Sequence, residues 1–255
     1  MIKDLSVESK SLLFAKLSNI AYLDPAESNK PFSDLGFYSI FFENNGSQAY
    51  CLTNDDDVVI VCRGTQPTEF KDIVADIRLK LVPSSSGNGK VHKGFKASVD
   101  NLWEPMTKLL RQYGRKRDVY VTGHSLGAAM ATLIATRMKR MDDVPNPVEL
   151  YTFGSPRVGN KTYIKFMNGL EIDHKRWVNN ADIVTRNPVW PYYHHGELYY
   201  MNHYGDVRKM TSWQIVKDRF RGFIVGIKRG EVNFFVNHSI ERYIKNLEKI
   251  GESND

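Results

Sequence analysis

A strand-like run leads straight into Gly123-His124-Ser125-Leu126-Gly127, and Ala128-Ala129-Met130-Ala131-Thr132-Leu133-Ile134-Ala135 follows at once. No other stretch of the chain limits its fold so tightly. Val119-Tyr120-Val121-Thr122 has strand composition, and the residues after Leu126 are helix formers. A strand turns into a helix this abruptly only where neighbouring backbones come very close. Gly123 and Gly127 flank Ser125 because a Cβ at either place would collide with the adjacent strand or helix. Such a turn holds Ser125 in a strained conformation, with its hydroxyl lifted above the sheet edge as a nucleophile requires.

The rest of the pattern alternates strands and helices. A helix is expected from Ser6 to about Leu23, stopped by Pro25. Gly36–Glu43, Gln48–Thr53 and Val58–Arg63 read as three strands, with a tight turn at Asn44-Asn45-Gly46. Helices are expected at Thr68 to about Leu79, Phe95–Tyr113, Leu126–Met141, Lys161–Asn168, Thr211–Lys228 and Ser239–Ile250. Further strands are expected at Asp118–Thr122, Val148–Phe153, His174–Asn179 and Glu197–Asn202, and a loop over Pro83–Gly89. This order predicts an α/β fold, a mostly parallel central sheet covered by helices. No repeat and no long Pro- or Gly/Ser-rich linker divides the chain, so residues 1–255 are expected to form one domain.

Composition narrows the function classes. The 255 residues are 42% hydrophobic, enough to bury a sizeable core. The formal net charge of +6 favours anionic surfaces such as phospholipid headgroups and does not argue for nucleic-acid binding. No zinc-type Cys/His spacing and no phosphate-loop Gly-Lys-Ser/Thr occurs. No run of about 18 apolar residues is present to span a membrane. The first residues, Met-Ile-Lys-Asp-Leu-Ser-Val-Glu, make a poor secretory signal and read as an amphipathic helix. A soluble chain is expected, either cytoplasmic or exported without a cleavable signal. The two cysteines, Cys51 and Cys62, fall diagonally across a hairpin, so two free core thiols are expected.

A serine hydroxyl at neutral pH needs a base, and the base needs a carboxylate to orient it. Both belong in loops just beyond strands at the edge where Ser125 sits. Asp182 follows the strand ending at Asn179 and meets that condition; Asp173 precedes the strand, and Asp206 and Asp218 lie in less suitable contexts. Five histidines follow Ser125: His174, His194, His195, His203 and His238. His174 opens a strand and is poorly placed. His238 precedes a helix, while His194 and His195 lie in the loop after Asp182, and spacing alone does not choose among these three. The backbone N–H of Leu126 is one expected oxyanion donor, and that of Thr65, at the end of the third strand, is the other.

Four blocks then carry a resemblance. They are Cys62-Arg63-Gly64-Thr65 followed by Asp72 and Asp76; His92-Lys93-Gly94-Phe95; Thr122-Gly123-His124-Ser125-Leu126-Gly127-Ala128-Ala129; and Thr152-Phe153-Gly154-Ser155-Pro156-Arg157-Val158-Gly159-Asn160. Together they make the chain resemble a class 3 lipase of the fungal-lipase-like α/β-hydrolase family. The resemblance implies that family's fold, including a short lid at about Gln66–Ile73. Val178-Asn179-Asn180-Ala181-Asp182-Ile183-Val184 is similar to the family strand that carries the triad acid. His238-Ser239-Ile240-Glu241-Arg242-Tyr243 is similar to its late histidine, which favours His238 as the base. Tyr193-His194-His195-Gly196-Glu197-Leu198 resembles a structural or pocket-lining segment of the family. Ile73 stands where the family's lid has Trp, and Ala128 where its elbow usually has Gly. Without disulfides or a signal peptide, the chain looks more like bacterial members than secreted fungal ones.

The implied activity is hydrolysis of lipid esters through Ser125, His238 and Asp182, with no cofactor and no metal. Phospholipase A1 action is an alternative, as is acyl transfer or thioester cleavage on the same triad, or a lipase-like binding protein without activity. His124, Val184, Trp190 and Tyr193 are candidate substrate contacts, and Leu126, Val189 and Tyr192 further linings of an acyl channel. Trp213–Lys228 mixes apolar and basic residues. It fits either a helix packed on the sheet or one lying on an anionic membrane surface.

Overall fold

The computed structural model describes residues 1–64, 80–207, 210–211, 213–219 and 236–252. Its centre is a seven-stranded sheet in the order β1-β2-β3-β6-β7-β8-β9. The strands are β1 (Tyr38–Asn44), β2 (Ser47–Thr53), β3 (Asp57–Cys62), β6 (Asp118–His124), β7 (Glu149–Phe153), β8 (His174–Asn179) and β9 (Glu197–Met201). The first three form an antiparallel meander, and every pairing from β3 to β9 is parallel. The two-residue turn between β1 and β2 has Asn45 at φ 47° and Gly46 at φ 73°. Two successive positive φ values match the right-handed twist of the strands they join.

The parallel part needs cover on both faces, because its strands are apolar on both sides. Along β3, Val58, Ile60 and Cys62 join one core while Val59 and Val61 join the other. Helices α3 (Lys93–Tyr113) and α4 (Leu126–Met138) cover the first face with Val99, Leu102, Met106, Met130 and Ile134, and Met167 of α5 (Lys161–Asn168) joins them. Helix α1 (Val7–Ile20) and the C-terminal helix α6 (Ile240–Glu252) cover the second face with Phe14, Leu17, Tyr243 and Leu247. Ser6 caps α1 by accepting a hydrogen bond from the Ser9 amide at 3.1 Å. Cys51 pairs with Ile60 and Cys62 with Ala49, and both thiols are buried and free, as the hairpin register predicts.

The expected helices and strands from Phe95 to Asn202 are present within three residues at each end. Two regions differ from the sequence reading. Helix α1 ends at Ile20, ahead of Pro25, and Pro25 instead opens α2 (Pro25–Asp34), since its fixed φ and missing N–H suit the first turn of a helix. Only Ser28 and Phe32 of that helix are buried, too few to write a periodic pattern. The Pro83–Gly89 loop joins a small hairpin, β4 (Leu81–Pro83) and β5 (Lys90–His92), whose strands are too short to show alternation. The expected helix over residues 68–79 lies outside the described residues. So does most of the one over residues 211–228, of which 213–219 are helical.

Candidate functional site

Strands β6, β7 and β8 end together, with His124 beside Phe153 and Phe153 beside Trp177. The loops that leave this edge build the site. Ser125 stands between β6 and α4 with φ 59° and ψ −126°, a backbone region costly for any residue bearing a Cβ. Its amide donates to Phe153 O at 3.0 Å, fixing the turn to the next strand. A Cβ on Gly127 would lie 2.1 Å from Cys62 O, and one on Gly123 would lie 2.5 Å from the Gly127 carbonyl. Backbone atoms cannot yield that far, so both positions demand glycine. Ser125 is 1% exposed, and its Oγ has no hydrogen-bond partner among the described residues.

Asp182 lies three residues beyond β8 and is fully buried. Its Oδ1 accepts from the Val184 amide at 2.9 Å. Its Oδ2 accepts from His238 Nδ1 at 2.9 Å and from the Tyr243 hydroxyl at 2.7 Å. His238 closes a short 3-10 turn, Val236–His238, just ahead of α6, so the imidazole and the tyrosine arrive on one segment. Tyr243 also accepts from the Asn179 amide at 3.0 Å. Burial and the neighbouring Asp182 charge raise its pKa well above 10, so it stays a donor to the carboxylate. Gly154 follows β7 at φ 59°, and a Cβ there would lie 2.9 Å from both Asp182 Oδ2 and the His238 ring.

His124 joins the elbow to the imidazole turn. Its Nε2 lies 2.7 Å from His238 O, its Nδ1 lies 2.9 Å from the Tyr22 hydroxyl, and its ring centre is 4.5 Å from that of His238. Burial, then the proximity of His238, hold its pKa well below 6.5, so it is neutral at physiological pH. A neutral ring has one N–H. The carbonyl needs a donor, so Nε2 carries the hydrogen and Nδ1 accepts from Tyr22.

The remaining sequence candidates are placed as follows. Leu126 opens α4, where first-turn amides have no helical carbonyl partner. Val184 is buried and serves the Asp182 carboxylate through its amide. Trp190 is 77% exposed and Tyr193 38% exposed; the Tyr193 amide donates to Gly159 O at 2.8 Å. Thr65 and the lid segment at 66–73 lie outside the described residues. The competing imidazoles are engaged elsewhere. His194 Nε2 lies 2.7 Å from Thr185 O, and His195 lies against His174 with their Nδ1 atoms 3.1 Å apart. Among the described residues no group of three or more His, Cys, Asp or Glu is arranged to hold a metal ion. Sequence reasoning gave no role to Tyr22, Gly154 or Tyr243. Tyr243 stood in the His238 block, but only the fold shows it meeting the acid.

The profile of the family described as Lipase (class 3) matches residues 40–192. The chain is 33% identical over 187 residues to Toxin TseL of Vibrio cholerae, covering 57% of this chain and 28% of that protein. It is 39% identical over 96 residues to Phospholipase A(1) DAD1, chloroplastic, of Arabidopsis thaliana, covering 37% of this chain and 22% of that protein. A structure of Rhizomucor miehei triacylglyceride lipase superposes with a TM-score of 0.69 at 27% identity, covering 77% of this chain and 81% of that one. The chain spans less than half the length of these two curated relatives. The superposition identifies the helix-covered sheet as an α/β-hydrolase fold. The matched stretch is more than half of the chain and contains both the elbow and Asp182, and the chain belongs to the class 3 lipase family.

Proposed function

We propose that this chain hydrolyses carboxylic esters of lipids through an acyl-enzyme on Ser125, with His238 as general base and Asp182 as the carboxylate that orients it. The observation that carries this reading is the buried Asp182–His238 hydrogen bond at the sheet edge that also holds the strained Ser125. With Nδ1 donating to Asp182, Nε2 is the basic nitrogen of the His238 ring. It takes the Ser125 proton as Oγ bonds to the ester carbonyl carbon. The negative charge moves to the carbonyl oxygen, where the Leu126 amide is the donor at the start of α4 and Thr65 the second donor expected from the sequence. Collapse of this intermediate expels the alcohol, which leaves with the proton from His238. Water then attacks the acyl-enzyme by the same route and releases the acid. Asp182 holds the imidazole in this orientation throughout.

A p-nitrophenyl ester series of increasing chain length, run on wild type and Ser125→Ala, tests the reading. The rate is expected to fall on the order of 10⁴-fold or more in the variant. An unchanged rate overturns the assignment. Phospholipase A1 action is the second reading, supported by the 39% identity to the Arabidopsis enzyme of that name. Release of the sn-1 acyl chain from phosphatidylcholine separates it from acylglycerol hydrolysis.

Peripheral contact with an anionic lipid surface belongs to the same proposal. In the helical stretch 213–219, Trp213 is 66% exposed, Val216 is 53% exposed, and the Lys217 ammonium lies 5.3 Å from the Trp213 ring centre. Exposed apolar residues beside a cation suit a surface that is greasy below and negative above. Anionic vesicles are expected to bind and neutral ones to bind less; equal binding overturns this part.

A further inference from the structure

Four arginines lie near the acid-bearing loop, and of the described carboxylates only Asp182 offsets their charge, at Arg186. Arg157 follows β7, Arg176 lies within β8, Arg186 ends the 3-10 turn Val184–Arg186 just after Asp182, and Arg219 lies in the helical stretch 213–219. Arg157 holds the group together by donating to Arg186 O at 2.7 Å and Pro188 O at 3.1 Å. Arg219 Nε donates to Asn180 O at 3.2 Å, and its guanidinium carbon lies 5.6 Å from the Tyr200 ring centre. Arg176 Nε and Arg186 Nε are buried with no hydrogen-bond partner among the described residues.

The nearby acids are already engaged. Asp182 serves His238, Tyr243 and Val184. Asp218 accepts from the Tyr200 hydroxyl at 2.9 Å and from the His203 amide. Among the described residues none of the four arginines makes an ion pair, and each feels at least one of the others. Burial, then Arg219, lowers the pKa of Arg157 and of Arg186, and burial, Arg219 and Arg157 bring Arg176 down to about 10. Like charges held together with unpaired donors are costly unless an anion answers them.

We propose that Arg157, Arg176, Arg186 and Arg219 form a binding site for a phosphate group, presented beside the loop that carries Asp182. Several planar forks held near one another suit a tetrahedral dianion better than a single carboxylate does. The phosphate has two sources: the headgroup of a phospholipid substrate, or free phosphate. The headgroup form rests on the ester-hydrolysis reading; phosphate binding does not.

The test measures the unfolding temperature against inorganic phosphate, with chloride at matched ionic strength, for wild type, Arg186→Gln/Arg219→Gln and Arg186→Lys/Arg219→Lys. Wild type is expected to be stabilised by phosphate and not by chloride. The glutamine pair is expected to lose affinity about 100-fold, and the lysine pair, which keeps charge but not the fork, to recover part of it. If the glutamine pair does not fold cooperatively, Arg219→Gln alone carries the comparison. Equal stabilisation by phosphate and chloride, or an unaltered response in the glutamine variant, overturns the site. A second arm follows hydrolysis of phosphatidate and diacylglycerol vesicles. Preference for phosphatidate, competitively reduced by free phosphate, assigns the site to the headgroup. Phosphate binding without that preference assigns it to free phosphate. Binding without any hydrolysis overturns the ester-hydrolysis reading and leaves the phosphate site standing.

Discussion

Two buried imidazole pairs sit at opposite edges of one sheet. At the C-terminal edge, His124 follows β6 to its end and meets the turn of His238. At the N-terminal edge, His174 opens β8 and stacks on His195 with ring centres 5.3 Å apart. Burial is similar, with each ring less than 9% exposed. The partners differ. The first pair ends on the Asp182 carboxylate, which welcomes an imidazolium beside it. The second ends on the Thr152 hydroxyl at 2.8 Å, with Arg176 nearby. Burial, then Arg176, pulls the pKa of His195 down to about 4. The two pairs thus differ in the group they end on, a carboxylate at one edge and a hydroxyl beside a guanidinium at the other, and not in their depth.

Four substitutions break or sharpen this contrast. Asp182→Asn removes the charge and is expected to lower kcat on ester substrates about 10⁴-fold, as loss of an orienting carboxylate does. A loss below tenfold would contradict the role given to the pair. Gly154→Ala pushes a methyl group into the 2.9 Å gap beside Asp182 and His238 and is expected to cost about 100-fold in kcat, the scale of a misplacement near 1 Å. Full activity there would mean the imidazole does not need this position. Tyr243→Phe removes one donor to the carboxylate while keeping the ring, with kcat expected to fall about tenfold and stability by about 1–3 kcal/mol in urea unfolding. The Asp182→Asn/Tyr243→Phe double variant should lose little more than Asp182→Asn alone.

The fourth substitution probes the other edge. His195→Gln is expected to leave kcat unchanged and to alter only the pH dependence of stability. An ordinary histidine titrates near pH 6.5, whereas His195 titrates at about 4 in the folded chain. The unfolded chain therefore binds the extra proton first as pH falls. The stability tied to neutral His195 is present above pH 6.5 and is lost between about 6.5 and 4, amounting to about 3 kcal/mol. Urea midpoints of wild type and variant at pH 7 and pH 5 should converge at the lower pH. Parallel curves would remove the argument from charge.

Legibility in the sequence followed how local each constraint was. The elbow was readable because a strand, a Gly-flanked serine and a helix lie within two dozen residues, and Gly127 against Cys62 O is the collision that pattern implies. Asp182 was readable from the strand ending at Asn179. His238 was not separable from His194 and His195 by spacing; family resemblance favoured it, and it is the imidazole that meets Asp182. Tyr22 gave no signal, and Gly154 and Tyr243 stood in blocks of family resemblance without a role, because the partners of all three come from distant parts of the chain. Helix α2 was invisible because few of its side chains enter the core.

The bond from His124 to the backbone of His238 has a consequence for the order in which the molecule becomes competent. On the proposed assignment, a nascent chain that has emerged only through Asp182 carries its hydroxyl and its acid but no base to join them. The missing imidazole arrives just ahead of α6, whose Glu248 meets Lys16 of α1 at 3.0 Å, so the helix that follows the imidazole is tied to one made long before it. An ester-cleaving centre of this design stays silent until the segment that bears the imidazole has been made and folded back against the sheet.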